Sequence, residues 1–192
     1  MTEISLAKEL SLRKPEFHRI FEMPSKDTFS MPKLRKWVLK HLEGRVLNVF
    51  AGETKLREYA GKIVYNDINP ELRVDYHYDA REISQFFAPE SFDSILLDPP
   101  YSYFQAINTY HCKRMLDVSR VISEADKLLK SGGVAITLGR NSTGFGKKRG
   151  YQKKAILLVN SGACHNDIIV VVEQKVQCKL LKFPEQTEAP PK

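Results

Sequence analysis

The sequence predicts an α/β fold: a doubly wound, mostly parallel seven-stranded sheet with a terminal antiparallel β-hairpin. Three observations carry this. Between Val46 and Leu138, short apolar runs alternate with amphipathic or polar stretches, the pattern of successive β/α units. The last two apolar runs, Ala155–Val159 and Ile168–Glu173, are joined by the turn-rich stretch Asn160–Asp167. That link is too short for a helical crossover, so the two strands pair antiparallel. Finally, successive strands end in a glycine loop or an acid, at the sheet edge where open α/β folds bind ligands.

The elements follow in order. Leu34, Trp37, Val38, His41 and Leu42 recur at helical spacing, with Pro32 at the first position and Gly44 at the end. Val46–Phe50 reads as the first strand of the alternation, followed by the tight loop Ala51-Gly52-Glu53. Lys62–Asn66 is a second strand ending at Asp67, and Val74–Tyr78 a third ending at Asp79. A short helix is expected over Arg81–Phe87, then the strand Phe92–Leu97. Arg114–Lys130 carries an apolar face of Val118, Val121, Ile122, Ala125 and Leu128, and Gly132-Gly133 is expected to close that helix. Val134–Leu138 is the next strand. Residues 1–30 read as an N-terminal extension, 31–182 as one domain, and the proline-containing tail 183–192 as disordered.

At 192 residues, 42% hydrophobic and 28% charged, the chain suits one well-cored globular domain. It has no apolar run of membrane-spanning length and no leader-like N-terminus, so a cytoplasmic location is expected, with no membrane partner. Three scattered cysteines and five scattered histidines offer no metal-ligand spacing, and no metal is expected. The net charge is +7, yet Lys127–Asn166 alone holds eight Lys/Arg and no Asp or Glu. Such a segment suits a phosphate-facing surface.

The sharpest feature is Asp98-Pro99-Pro100-Tyr101, at the end of the fourth strand. Two prolines fix two φ angles and remove two N–H donors, leaving a stiff backbone with an outward carbonyl beside a carboxylate and a ring. A pair of acceptors next to a flat ring suits a planar base with an exocyclic amine. The tetrapeptide resembles the Asp-Pro-Pro-Tyr motif of S-adenosylmethionine-dependent methyltransferases that act on such amines, in particular the N6-adenine-specific DNA methyltransferase family. The resemblance spans about residues 31–175 and implies the class I methyltransferase, Rossmann-like fold.

It also implies roles. Asp98, Pro99, Pro100 and Tyr101 would act on the substrate amine, with Tyr101 stacking on the base and Tyr103, with Phe104, extending the platform. Phe50, Ala51, Gly52 and Glu53 would approach the methionine part of S-adenosylmethionine. Asp67, with Ile68 beside it, would take the ribose, Asp79-Ala80 the adenine, and Asp98 would close the series. Ser30, in Ser30-Met31-Pro32, loosely matches another cofactor-contacting segment. Arg140 and the loop cations Lys147, Lys148 and Arg149 would face substrate phosphates, in a loop that its glycines make mobile.

One departure stands out: Thr54 replaces the family's second loop glycine. A β-branched residue disfavours positive φ, so the loop must take another path or hold the cofactor less tightly. The same absence argues against a Gly-x-Gly-x-x-Gly dinucleotide site.

The expected activity is methyl transfer to N6 of adenine in DNA. A compact RNA base methyltransferase and a catalytically silent nucleic-acid-binding subunit are the alternatives. No insertion is long enough for a target-recognition domain, which leaves room for a recognition partner subunit.

Overall fold

The computed structural model describes residues 14–25, 27–100, 116–162 and 165–176. Its elements are β1 (Glu16–Phe21), α1 (Pro32–Leu39), β2 (Val46–Asn48), β3 (Ile63–Tyr65), β4 (Phe92–Leu97), α2 (Val118–Leu128), β5 (Leu129–Gly139), β6 (Tyr151–Asn160) and β7 (Ile168–Lys175). All seven strands form one sheet in the order β1-β6-β7-β5-β4-β2-β3. Only β7 is reversed, pairing antiparallel with both β5 and β6. The expected sheet and terminal hairpin are therefore present.

Side-chain alternation builds a core on each face of the sheet. On one face, Leu34 and Val38 of α1 pack with Leu96, Ile136, Leu157 and Val170. On the other, Val121, Ala125 and Leu128 of α2 pack with Phe92, Ile95, Leu97 and Ala135. The backbone groups at the helix ends are satisfied by side chains, as a helix terminus requires. Glu22, just past β1, accepts the N–H groups of Lys33 (3.0 Å) and Leu34 (2.9 Å) at the start of α1. Asp117 caps α2 by accepting the Arg120 N–H at 3.0 Å. Lys175 closes its far end, donating to the carbonyls of Asp126 (2.7 Å) and Leu129 (3.0 Å).

Four sequence expectations are corrected. Val74–Tyr78 is not a strand; its sheet contact is a single bridge between Asn66 and Tyr76. The Tyr65 carbonyl accepts the N–H groups of Asp75 (3.0 Å) and Tyr76 (3.2 Å), the Tyr76 carbonyl accepts the Asp67 N–H (3.1 Å), and side chains make the remaining links. The Asn66 amide donates to the carbonyls of Val49 (3.1 Å) and Tyr78 (3.0 Å), its oxygen accepts the Tyr78 N–H (2.9 Å), and Asp75 accepts the Tyr65 N–H (2.8 Å). The seventh strand comes instead from the segment read as an extension: β1 lies parallel to β6 at the opposite edge.

The helix expected at Arg81–Phe87 is one 3₁₀ turn, Ile83–Gln85. Gly132-Gly133 does not close α2, which ends at Leu128. Lys130–Gly133 form an irregular stretch of β5 before Val134 pairs with Ser94, and Gly132 takes φ +81° there.

The link from β5 to β6 is held rather than free. Phe145 is buried in the second core, and the buried Glu173 carboxylate accepts the N–H groups of Phe145 (2.5 Å) and Gly146 (3.2 Å). Gly144 takes φ +59° directly against that carboxylate, where a side chain would collide. The glycines that suggest mobility thus serve docking. Among the described residues no helix is long and apolar enough to cross a membrane.

Candidate functional site

A cleft opens at the carboxyl ends of β2, β3 and β4, with a volume of about 690 Å³ counting the space open to solvent. Phe50, Ala51, Gly52, Glu53 and Thr54 line it after β2, Asn69 and Leu72 after β3, and Asp98 and Pro100 after β4. Asp27, Thr28 and Phe29, just before α1, complete the wall. Residues as far apart in sequence as Asp27 and Pro100 meet here because parallel strands deliver their ends to one edge.

Among the described residues the lining carries three carboxylates, Asp27, Glu53 and Asp98, and no Lys or Arg. Its field favours a cationic ligand. Gly52 takes φ +58°, with nothing within 4 Å of where a side chain would start, so the loop leaves open space beside its backbone.

Asp67 holds that loop. It is 4% exposed, and its two oxygens accept the N–H groups of Gly52 (3.0 Å) and Asn69 (3.0 Å). A carboxylate can accept about four hydrogen bonds, so this tethering leaves capacity for a ligand. Ile68 beside it is 44% exposed.

Asp79 is engaged differently. The Arg81 side chain donates to both its oxygens, Nε to Oδ1 at 3.0 Å and Nη2 to Oδ2 at 2.5 Å. Those hydrogen bonds hold its carboxyl below the usual carboxylate range, with partial burial opposing. Ala80 is buried against the second core.

Other candidates fall away from the cleft. Ser30 is exposed, and its hydroxyl donates to the Asp27 carbonyl (2.7 Å) and accepts from the Ser25 hydroxyl (2.6 Å), while its neighbours Thr28 and Phe29 reach the wall. Lys147, Lys148 and Arg149 form a 3₁₀ turn leading into Tyr151 at the amino end of β6. Because β6 runs in the same direction as β4 and β5, that is the end of the sheet away from the cleft. Arg149 also reaches the hydroxyls of Ser119 (3.5 Å) and Ser123 (3.3 Å) on α2. Arg140 stands directly after β5, at the cleft end. Tyr101 and Tyr103 lie outside the described residues.

The eight-cation segment is also less naked in space than in sequence. Lys127 pairs with Glu124 (2.6 Å), Lys130 with Asp93 (2.7 Å) and Lys153 with Glu173 (3.4 Å).

Sequence reasoning missed Asp27, Thr28, Phe29, Asn69 and Leu72. Phe29 belongs to no helical or strand repeat, and its neighbours reach the cleft only through the packing of α1. The Asn69-Pro70 turn after Asp67 was the one available signal for Asn69. Thr54 sits in the lining without strain: Glu90 is the one non-glycine residue with positive φ among those described. The loop needs a left-handed residue at Gly52 alone, so of the two expectations it is the different path, one without positive φ at position 54, that the backbone takes.

No family model matches the sequence, and no curated protein sequence matches it either. Solved structures share its architecture. TrmN from Thermus thermophilus is 19% identical over 76% of this chain and 49% of its own, with a TM-score of 0.53. The N-methyltransferase NodS from Bradyrhizobium japonicum WM9 is 11% identical over 76% of this chain and 96% of its own, at 0.54. SMU.776, solved in complex with SAH, is 14% identical over 74% and 48%, at 0.53.

The fold is that of class I methyltransferases. The chain spans about half the length of TrmN and of SMU.776. In this sheet β1 is the edge strand beside β6, and at the other edge the Asn66–Tyr76 bridge lies next to β3.

Proposed function

We propose that this protein transfers a methyl group from S-adenosylmethionine to an exocyclic amine of a nucleic-acid base, with N6 of adenine in DNA as the leading target. One observation carries the reading: Asp98 and Pro100 of the Asp-Pro-Pro-Tyr motif line the same cleft as the Phe50–Thr54 loop. Methyl transfer needs an amine acceptor set and a cofactor loop that face one space, and the shared lining supports that reading.

The residues present fit the cofactor. Three carboxylates around an open glycine loop suit a ligand that carries a sulfonium and an ammonium. Asp67, tied to the loop it follows, would take the ribose hydroxyls, and exposed Ile68 would cover one side of the adenine. When bound, S-adenosylmethionine supplies an electrophilic methyl group.

The chain's own part is positioning and charge. An exocyclic amine is a poor nucleophile because its lone pair is delocalised into the ring. The Asp98 carboxylate and the Pro99 carbonyl would accept the two amino hydrogens, turn the nitrogen toward tetrahedral geometry and stabilise the positive charge that develops on it. Stiff prolines keep these acceptors in place, so little reorganisation is needed at the moment of reaction. Tyr101 would stack on the base, which must be flipped out or unpaired to enter.

Incubating the protein with labelled S-adenosylmethionine and DNA or RNA, followed by mass spectrometry of the nucleosides, tests this. N6-methyladenine in DNA is the expected product. A methylated base confined to RNA moves the target to RNA, and no methylated nucleoside from either removes the proposal.

A further inference from the structure

The sheet carries a second surface with the chemistry of nucleic-acid binding. We infer that the open face of β1 and β6 is a platform for unpaired nucleotides, with Phe17 and Phe21 stacking on bases and Arg19, Lys147 and Lys148 holding phosphates.

The register sets the arrangement. His18 and Ile20 turn toward α1, where the His18 ring meets Trp37 at 5.8 Å and Ile20 packs on the first core. Phe17, Arg19 and Phe21 therefore point to the other face, beside Ile156, Leu158 and Asn160 of β6. On that face α2 and the docked Phe145 cover β4, β5 and Tyr151 at the amino end of β6, and Phe17 and Phe21 stay 66% and 55% exposed. Two rings about 13 Å apart on one strand, with a guanidinium between them, match how sheets bind single strands: a π-face for each base and a cation for the backbone.

Charge selects this occupant over an ordinary protein contact. Arg19, Lys147 and Lys148 are exposed and form no ion pair among the described residues. The carboxylates nearby are already committed. Glu173 is buried on the Phe145 and Gly146 N–H groups, and Asp167 accepts the Asn160 amide (3.1 Å) and the Ser161 N–H (3.0 Å). Glu16 faces away, beside His18. Lys147 and Lys148 precede Tyr151, at the amino end of β6 and on the face where Phe145 and Tyr151 pack. The basic turn that the cleft leaves unused thus stands at one end of this platform.

The other end leads to the cleft. Five residues separate Phe21 from Asp27 in the cleft wall, a span of at most about 20 Å. The Phe21 carbonyl accepts Lys33 Nζ at 3.0 Å, which fixes the strand end against the start of α1. A strand lying along β1 would continue toward the cleft, so the platform extends the nucleic-acid reading given above, on which its direction rests.

Binding is measured by fluorescence anisotropy without cofactor, so that it stands apart from methyl transfer. The probes are a mixed-sequence single strand as DNA and as RNA, and the DNA duplex. Both single strands are expected to bind more tightly than the duplex. Phe17→Ala with Phe21→Ala should weaken single-strand binding about tenfold or more, Phe17→Tyr with Phe21→Tyr should restore it, and Arg19→Ala should flatten the salt dependence of log K by about 0.7.

Unchanged single-strand affinity in the double alanine variant overturns the platform, whether or not the protein methylates nucleic acid. A fall in sedimentation mass with unchanged oligonucleotide affinity also overturns it, and makes the face a contact between copies. Retained single-strand binding with no methylated product leaves the platform standing and removes the activity proposed for the cleft.

Discussion

The Asp67 carboxylate accepts the Gly52 N–H at 3.0 Å, so the end of β3 holds the loop that follows β2. One buried acid thereby sets the shape of the cleft and offers its remaining lone pairs to a ligand. On the cofactor site proposed above, stability and cofactor affinity would both run through this residue.

Asp67→Ala should therefore lose both. The Gly52 and Asn69 N–H groups would be left without their acceptor, at a cost of roughly 1–3 kcal/mol in urea unfolding. In the wild type, S-adenosylmethionine at 100 times its dissociation constant should add about 2.7 kcal/mol. The variant should show little of that gain. A wild type whose melting temperature does not move with cofactor would remove the cofactor assignment itself.

Thr54→Gly tests whether the missing second glycine matters. Thr54 has no positive φ to relieve, so glycine restores nothing. It adds backbone freedom to the unfolded chain, and a loss of up to about 1 kcal/mol in stability is expected with no gain in cofactor affinity. Tighter binding by calorimetry would show that Thr54 obstructs the ligand.

What the sequence made legible follows from how local each signal is. Asp98-Pro99-Pro100 sits at a strand end because its own prolines stop the strand, and the Phe50–Thr54 loop is marked by its own Gly52, although Asp67 is what holds it. Asp27, Thr28 and Phe29 reach the same cleft only after α1 packs on the sheet, which no short window records. Strand β1 was hidden because Phe17, Ile20 and Phe21 do not alternate: one of its faces is covered and the other open. Conversely, Val74–Tyr78 has strand composition, yet its backbone pairing with β3 stops at the Tyr76 bridge, and the Asn66 and Asp75 side chains take up the neighbouring backbone groups. The local preference was real, and tertiary hydrogen bonding overrode it.

Asp98→Ala should abolish methyl transfer while the cofactor-induced thermal shift persists. Asp98 lines the cleft, outside both cores, so the fold should survive its loss. Single-turnover rates near wild type would take Asp98 out of the catalytic role.

Asp79 gives a pH signature. Its carboxyl is held below the ordinary carboxylate value by Arg81, so the folded state favours its ionised form. The stabilisation is complete above the unfolded value, about 3.9, and is lost as pH falls through the folded one. Asp79→Asn should be less stable than wild type at neutral pH, and the gap should close in acid. A gap that is constant with pH would mean that the Arg81 bonds favour neither protonation state.

The basic turn separates two geometries for the substrate. Lys147 and Lys148 lie at the amino end of β6, away from the cleft. Lys147→Ala with Lys148→Ala should leave cofactor affinity unchanged and should leave turnover on a very short oligonucleotide unchanged too. On a long strand each lost phosphate contact should flatten the dependence of log K on log[salt] by about 0.7 for single strands and 0.9 for duplex DNA, equally for every sequence. A loss of turnover on the short substrate would place these lysines at the reacting base, which the direction of β6 opposes. An unchanged slope on every substrate would leave the turn a solvated corner, with Arg19 as the one cation of the β1–β6 face set to meet a phosphate.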